Sequence, residues 1–373
     1  MKLLDLFSGI GGFHLGFEQA GFKFDWVGFS EIDKYASAVY KHRFPNAKEL
    51  GDVNLIQPER LPDHIDFLCG GFPCQAFSMA GKRKGFDDTR GTLFFEIARI
   101  LKYFREHRKP IDYFVLENVK GLLSHDNGRT FATIYRVLTD IGYTVEFQLL
   151  NTRWFLPQNR ERIYLVGYFG SGRGSKVFPI GEDNKKINKY QTEECTNTLT
   201  ASYARATSQG SYINECNQVS QKEKVKVADY RNDEGLRVRK ESISPTLATR
   251  KHSATDISTM PPFVWKEVKP VMTPNRLNKN QNERRFKEDG EPMFTLTGQD
   301  QHGVQVKSNI RRLTPTECER LQGFPDGWTS EGVMNGKVVP MSDTQRYKQC
   351  GNAVTVNVVQ AVADKLNKIR GLI

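Results

Sequence analysis

A chain of 373 residues, 38% of them hydrophobic, can bury the core of one large domain or of two ordinary ones, and no apolar run in it approaches the roughly 20 residues that cross a bilayer. The opening MKLLDLFSGIGGF lacks the basic start and small-residue cleavage site of a signal peptide, so a cytoplasmic protein without a membrane span is expected. A net charge of +11 and a pI near 9.2 point to an acidic partner, although a merely basic soluble protein has the same balance, and six cysteines with no CxxC pair argue against zinc and disulfides.

From Met1 to about Gly170 the apolar runs LLDLF, DWVGFS, IDFLCGG, DYFVLEN and RIYLVGYF alternate with helix-compatible segments. This predicts an α/β layer with a mostly parallel sheet, whose ligands bind at the carboxyl ends of the strands. The first run ends at Asp5 to Phe7 and passes through Gly9, Gly11 and Gly12 into a helix carrying Gly16. Such a turn lets backbone approach a ligand, and the helix start favours a carboxylate or phosphate. The second run ends at Ser30-Glu31, where a carboxylate suits a ribose diol, and Gly51-Asp52 offers an acceptor for an exocyclic amine. Together they describe a nucleoside pocket, and solvated surface acids are the plainer alternative.

The third run leads through Gly70-Gly71 to Pro73-Cys74. A thiol near backbone amides is activated, which makes Cys74 the nucleophile candidate, whereas Cys69 inside the run is a packing residue. The polar loop that follows has Gly81, Gly85 and Gly91 as hinges and Lys82, Arg83 and Lys84 for phosphates; a plain solvated loop has a similar composition. The fourth run delivers Glu117 and Asn118 to its end, for a ring nitrogen or for a cap. In QNRERIYLVG, alternation puts Arg160 and Arg162 on one face, toward a base carbonyl and phosphate or toward solvent.

Beyond GYFGSGRGSK the chain turns polar and basic to about residue 310, which predicts a separate loop-rich lobe. NTLTA, PTLAT and FTLTG return there at intervals of nearly fifty residues and read as equivalent strands of a weak repeat, or as chance. From Gly351 onward, Val354, Val358, Val359, Val362 and Leu366 share one helical face, with Asn352 at its start as a cap.

The order of these motifs resembles the DNA cytosine-5 methyltransferases of bacterial or phage restriction-modification type. The resemblance rests on the glycine run after Asp5, Pro73-Cys74-Gln75, Glu117-Asn118-Val119, Gln158-x-Arg160-x-Arg162, RRLTPTECERLQGFPD and Gly351-Asn352. It implies a Rossmann-like S-adenosylmethionine-binding domain over 1–172, a smaller target-recognition domain over 173–343, and a closing segment over 344–373. Phe7, Gly9, Gly11, Glu31, Ile32, Asp52, Pro73, Leu93, Asn352 and Ala353 would line the cofactor site, and Cys74, Glu117, Arg160 and Arg162 would be catalytic. The implied partner is double-stranded DNA, with a cognate restriction endonuclease acting on the same sequence and a monomer as the default.

An RNA cytosine methyltransferase uses the same motifs. The basic middle positions Lys222, Lys224, Arg231, Arg237, Arg250, Arg276, Arg284 and Arg285 favour DNA grooves and phosphates over that reading. A silent DNA-binding relative would not need Cys74, Glu117 and Arg162, and a nicotinamide dehydrogenase leaves Pro73-Cys74 unexplained.

Overall fold

The computed structural model describes residues 1–73, 93–169, 177–181, 226–231, 235–238, 263–265, 268–274, 286–298, 301–306 and 309–370. It divides into two compact units, one of Met1–Glu193, Met293–Asp300 and Leu313–Ile373, the other of Glu194–Pro292 and Gln301–Arg312.

The first unit is built on β1 (Lys2–Leu6), α1 (Gly12–Gln19), β2 (Trp26–Ser30), α2 (Lys34–Arg43), β3 (Lys48–Glu49), β4 (Phe67–Gly71), α3 (Leu93–His107), β5 (Tyr113–Val119), α4 (Arg129–Asp140), β6 (Tyr143–Asn151) and β7 (Glu161–Phe169). The sheet order is β3-β2-β1-β4-β5-β7-β6. All five apolar runs form strands, and β1 to β5 pair in parallel. β7 runs antiparallel to both β5 and β6. β6 escaped the sequence reading because its residues alternate between buried and exposed at the sheet edge instead of forming a continuous apolar run.

Apolar side chains fill both faces. Leu4, Leu6 and Leu68 pack with Phe94, Ile97 and Leu101 of α3 on one face. On the other, Phe13 and Phe17 of α1 meet Val358, Val359 and Val362. The latter three lie on the last helix, α7 (Val356–Arg370), which follows α5 (Pro315–Leu321) and α6 (Asp343–Asn352) in chain order. Asn352 therefore closes α6 and does not cap the final helix, which starts at Val356. A Cβ on Gly16 would lie 2.6 Å from Val359 Cγ1, so glycine is what lets α1 approach α7.

Asp5 is fully buried in β1 and accepts hydrogen bonds from Tyr40 (3.2 Å) and the Cys69 thiol (3.4 Å). Burial pushes its carboxyl up to about 8. Between about pH 4 and 8 the unfolded chain thus holds fewer protons than the folded one, and this group makes stability fall as pH rises. Asp5→Asn is expected to flatten that decline. Melting temperatures of both proteins across the window check it, and parallel curves would show that Asp5 does not titrate there.

The boundaries of the units differ from the expected 173 and 343. Residues 313–343 belong to the first unit because Glu319 on α5, fully buried, accepts from the Gly327 and Thr329 amides (2.7 and 2.8 Å) and pairs with Arg346 (3.1 Å). The hairpin β14 (Glu331–Met334) and β15 (Lys337–Pro340) packs on α2, where a Cβ on Gly332 would sit 2.9 Å from Ala38. Residues 293–298 also join the first unit through Met293, whose amide donates to Pro157 O (2.9 Å).

The second unit contains two antiparallel three-stranded sheets. One has order β10 (Phe263–Trp265), β8 (Lys226–Arg231), β9 (Gly235–Val238); the other β11 (Val268–Met272), β12 (His302–Val306), β13 (Asn309–Arg312). Of the three repeat segments, NTLTA and PTLAT lie outside the described residues, and FTLTG (Phe294 to Gly298) is not a strand. Arg231 and Arg237 fall in β8 and β9, while the other basic middle positions lie outside the described residues.

Candidate active site

From β1 the chain winds outward through β2 and β3 on one side, and from β4 through β5 on the other. The crevice at the carboxyl ends of β1 and β4 is where sheets of this topology take ligands. After β1, Phe7, Gly9 and Gly11 all adopt positive φ (54°, 54° and 86°). A Cβ on Gly11 would lie 2.4 Å from the Phe44 ring, whereas one on Gly9 meets no atom of the described residues within 4 Å. Glu31 holds this turn: its carboxylate accepts from the Gly9 amide and from the Asp33 amide, both at 2.8 Å. Burial raises its pKa, and the two amides oppose that rise.

Ile32, the next residue, is 76% exposed. The Ser30 hydroxyl donates to Gly51 O (2.6 Å), which brings Asp52 beside the end of β2, where its carboxylate accepts from the Asn54 amide (2.9 Å). Leu93 opens α3 and packs with Phe7 against the same core. An exposed isoleucine directly after Glu31, with Asp52 held near the end of the same strand by the Ser30–Gly51 bond, fits a nucleoside with an apolar ring and hydrogen-bond donors.

The carboxyl-terminal segment closes onto this turn. A Cβ on Gly12 would lie 2.7 Å from Val354, next to buried Ala353 and exposed Asn352, and Lys348 pairs with Asp33 at 2.6 Å. The Trp328 indole donates to Ile10 O (2.9 Å), while Arg43 lies over that indole at 5.1 Å and donates to Trp328 O (2.8 Å). Trp328 and Lys348 escaped the sequence reading. Their partners lie 318 and 315 residues away, and no local pattern marks them.

A second group forms where β5 ends. Because β7 is antiparallel, it begins beside that end, with Arg162 opposite Val119 and Tyr164 opposite Glu117. Arg162 Nε lies 3.1 Å from Glu117 Oε1, with the side chains only 18% and 10% exposed. The contact is off the N–H line, and Glu117 Oε1 has no hydrogen-bond donor among the described residues. Gly71 is the register partner of Glu117 on β4, and a Cβ there would sit 3.1 Å from Glu117 Oε2. Asn118 Nδ2 donates to Phe72 O (2.8 Å), fixing the backbone just before exposed Pro73. Cys74 and the loop with Gly81, Lys82, Arg83, Lys84, Gly85 and Gly91 lie outside the described residues. A carboxyl group held beside a guanidinium can hydrogen-bond a ring nitrogen while the guanidinium takes a neighbouring carbonyl.

Arg160 does not join this pair as alternation predicted. It precedes β7, is 4% exposed, and donates to the main-chain carbonyls of Leu296 (2.9 Å), Gly351 (3.2 Å) and Ala353 (2.9 Å). Strand alternation fails because residue 160 lies ahead of the strand.

The family model for C-5 cytosine-specific DNA methylases matches residues 1–368. The chain belongs to that family. It is 35% identical to the orphan methyltransferase M.SPRI of Bacillus phage SPR, over 98% of this chain and 97% of the relative. The type II methyltransferase M1.ScrFI of Lactococcus lactis subsp. cremoris is 38% identical, over 99% of this chain and 78% of the relative. Among solved structures, the S. pombe Dnmt2 methyltransferase shares the fold at TM-score 0.55 and 17% identity, covering 99% of this chain and 98% of that one. The family is that of the DNA cytosine-5 methyltransferases, and the chain has the Rossmann-like α/β sheet in its first unit. No described helix is long and apolar enough to cross a membrane.

Proposed function

We propose that this methylase acts on cytosine within one short double-stranded DNA sequence, through a covalent adduct of Cys74, with S-adenosylmethionine as methyl donor. The observation that carries the chemistry is the Glu117–Arg162 pair at the end of β5, with the β4 backbone against it two residues before Pro73. The Cys74 thiolate adds to carbon 6 of the ring, and the added electron density moves to carbon 5. S-adenosylmethionine, when bound, supplies the electrophilic methyl group that carbon 5 accepts. Glu117 hydrogen-bonds or protonates ring nitrogen 3, and Arg162 holds the adjacent carbonyl, so the charge that develops on the ring meets fixed partners. The carbon 5 proton then leaves to a base and the Cys74 thiolate is expelled, restoring the aromatic ring.

Gly9, Gly11, Phe7, Glu31, Ile32, Asp52, Pro73, Leu93, Asn352 and Ala353 hold the donor. The room left beside Gly9 by the described residues and the exposed Ile32 support this assignment. The target atoms are inaccessible inside a stacked duplex, so the cytosine must be flipped out, at a cost of a few kcal/mol. The second unit reads the sequence, supported by its basic composition. Protection of DNA from a cognate endonuclease is the role that the type II relatives suggest, and one chain without a partner copy suffices for asymmetric reading.

Expression in a host without cytosine methylation, followed by bisulfite sequencing, tests the proposal. Methylation at one short recurring sequence is the expected result. Unmethylated DNA with folded protein present would move the activity to another nucleic acid.

A further inference from the structure

Arg160 is invested in the main chain. Its three carbonyl acceptors lie 136, 191 and 193 residues away in sequence, and two of them flank Asn352. The end of a helix leaves carbonyls without intrahelical donors, and burying them unpaired is costly. At the end of α6 those donors come from side chains. Gln322 Nε2 serves Cys350 O (2.8 Å), and Arg160 serves Gly351 and Ala353. The lattice continues inward: the Thr355 hydroxyl donates to Gln322 Oε1 (2.9 Å) and lies 2.8 Å from the Thr152 hydroxyl. Gln158 Nε2 donates to Leu321 O (3.0 Å).

The packing around this lattice leaves little slack. A Cβ on Gly351 would lie 2.2 Å from the Thr297 carbonyl carbon, so the residue 294–298 segment crosses α6 backbone to backbone. Burial draws the Arg160 guanidinium down to about 10, which leaves it charged at neutral pH. The planar guanidinium holds its donors at fixed angles toward the three carbonyls, whereas a Lys ammonium is a compact point charge on a flexible stem with three rotatable donors.

We propose that Arg160 is a positioning residue: through the Gly351 and Ala353 carbonyls it fixes the Asn352–Ala353 turn, sets the affinity for the methyl donor, and takes no part in the chemistry at the base. This rests on the proposed reading in which Asn352 and Ala353 contact the donor. The charge that alternation assigns to the substrate is spent on the scaffold, leaving Arg162 as the guanidinium beside Glu117.

The test is Arg160→Lys in the full chain, with S-adenosylhomocysteine binding measured by calorimetry without DNA, DNA affinity measured separately, and steady-state kinetics. The expected result is donor-site affinity weakened about tenfold or more, as the loss of one or two buried charge-assisted hydrogen bonds predicts. KM for the donor rises with it, while kcat at saturating donor and DNA affinity change by less than about threefold. A fall in kcat with donor affinity intact would overturn the proposal and return Arg160 to the base. Thr355→Val loosens the same turn from the opposite side and carries the test should Arg160→Lys not fold; its expected loss is smaller but in the same direction, and unchanged affinity would overturn the proposal. Wild-type protein that binds no S-adenosylhomocysteine would instead remove the reading beneath it.

Discussion

Cys74→Ala is expected to lower turnover by about four orders of magnitude or more, as removal of a covalent nucleophile does, while DNA binding by the same protein persists. The distinction matters because the thiol is assigned to bond formation and not to holding the duplex. Glu117→Gln is the companion: it keeps a hydrogen-bonding side chain beside Arg162 but cannot deliver a carboxyl proton, and kcat should fall about 10²- to 10⁴-fold. Single-turnover methylation of a defined duplex, with DNA affinity measured in parallel, reads both. Loss of binding together with turnover, in folded protein, would sink the purely chemical role of Cys74. A Glu117→Gln enzyme with full kcat would remove the carboxyl from the mechanism.

Exchanging the second unit for that of a relative with a different target should carry the relative's sequence preference with it. The unit boundaries define the exchange: 194–292 and 301–312 move together, because β11 pairs with β12 and β12 with β13. Residues 293–300 must stay. Met293 and Leu296 are hydrogen-bonded to Pro157 and Arg160 in the first unit, and an exchange through them would cut the lattice beneath Asn352. Residues 313–343 stay as well, since Glu319 and Trp328 are committed to Arg346 and Ile10. Bisulfite mapping in a non-methylating host gives the preference of the hybrid. Retention of the original sequence would place recognition in the first unit.

Much of the first unit was legible in the sequence because its signals are local. An apolar run bounded by a glycine turn reads as a strand end from a few neighbouring residues, and β1, β2, β4, β5 and β7 all form where such runs occur. Glu31 and Glu117 could be assigned to strand ends for the same reason, whereas the bond from the Gly9 amide to the Glu31 carboxylate appears only in the folded chain. What could not be read is where side chains of equal chemistry go. Arg160 and Arg162 are both guanidinium groups two residues apart, yet one ends on main-chain carbonyls and the other beside Glu117.

Local sequence already carries the alternation of elements, the acids and glycines at the strand ends, and the membership that their order implies. Folding in three dimensions is what sets β7 antiparallel, puts residues 293–298 and 313–343 in the first unit, and braces the glycine turn with Trp328. Distance along the chain separates the two. Periodicity and turn chemistry act over a few residues, whereas a buried donor takes whichever acceptor the packed fold brings within about 3 Å, and for Arg160 and Trp328 those acceptors come from more than a hundred residues away.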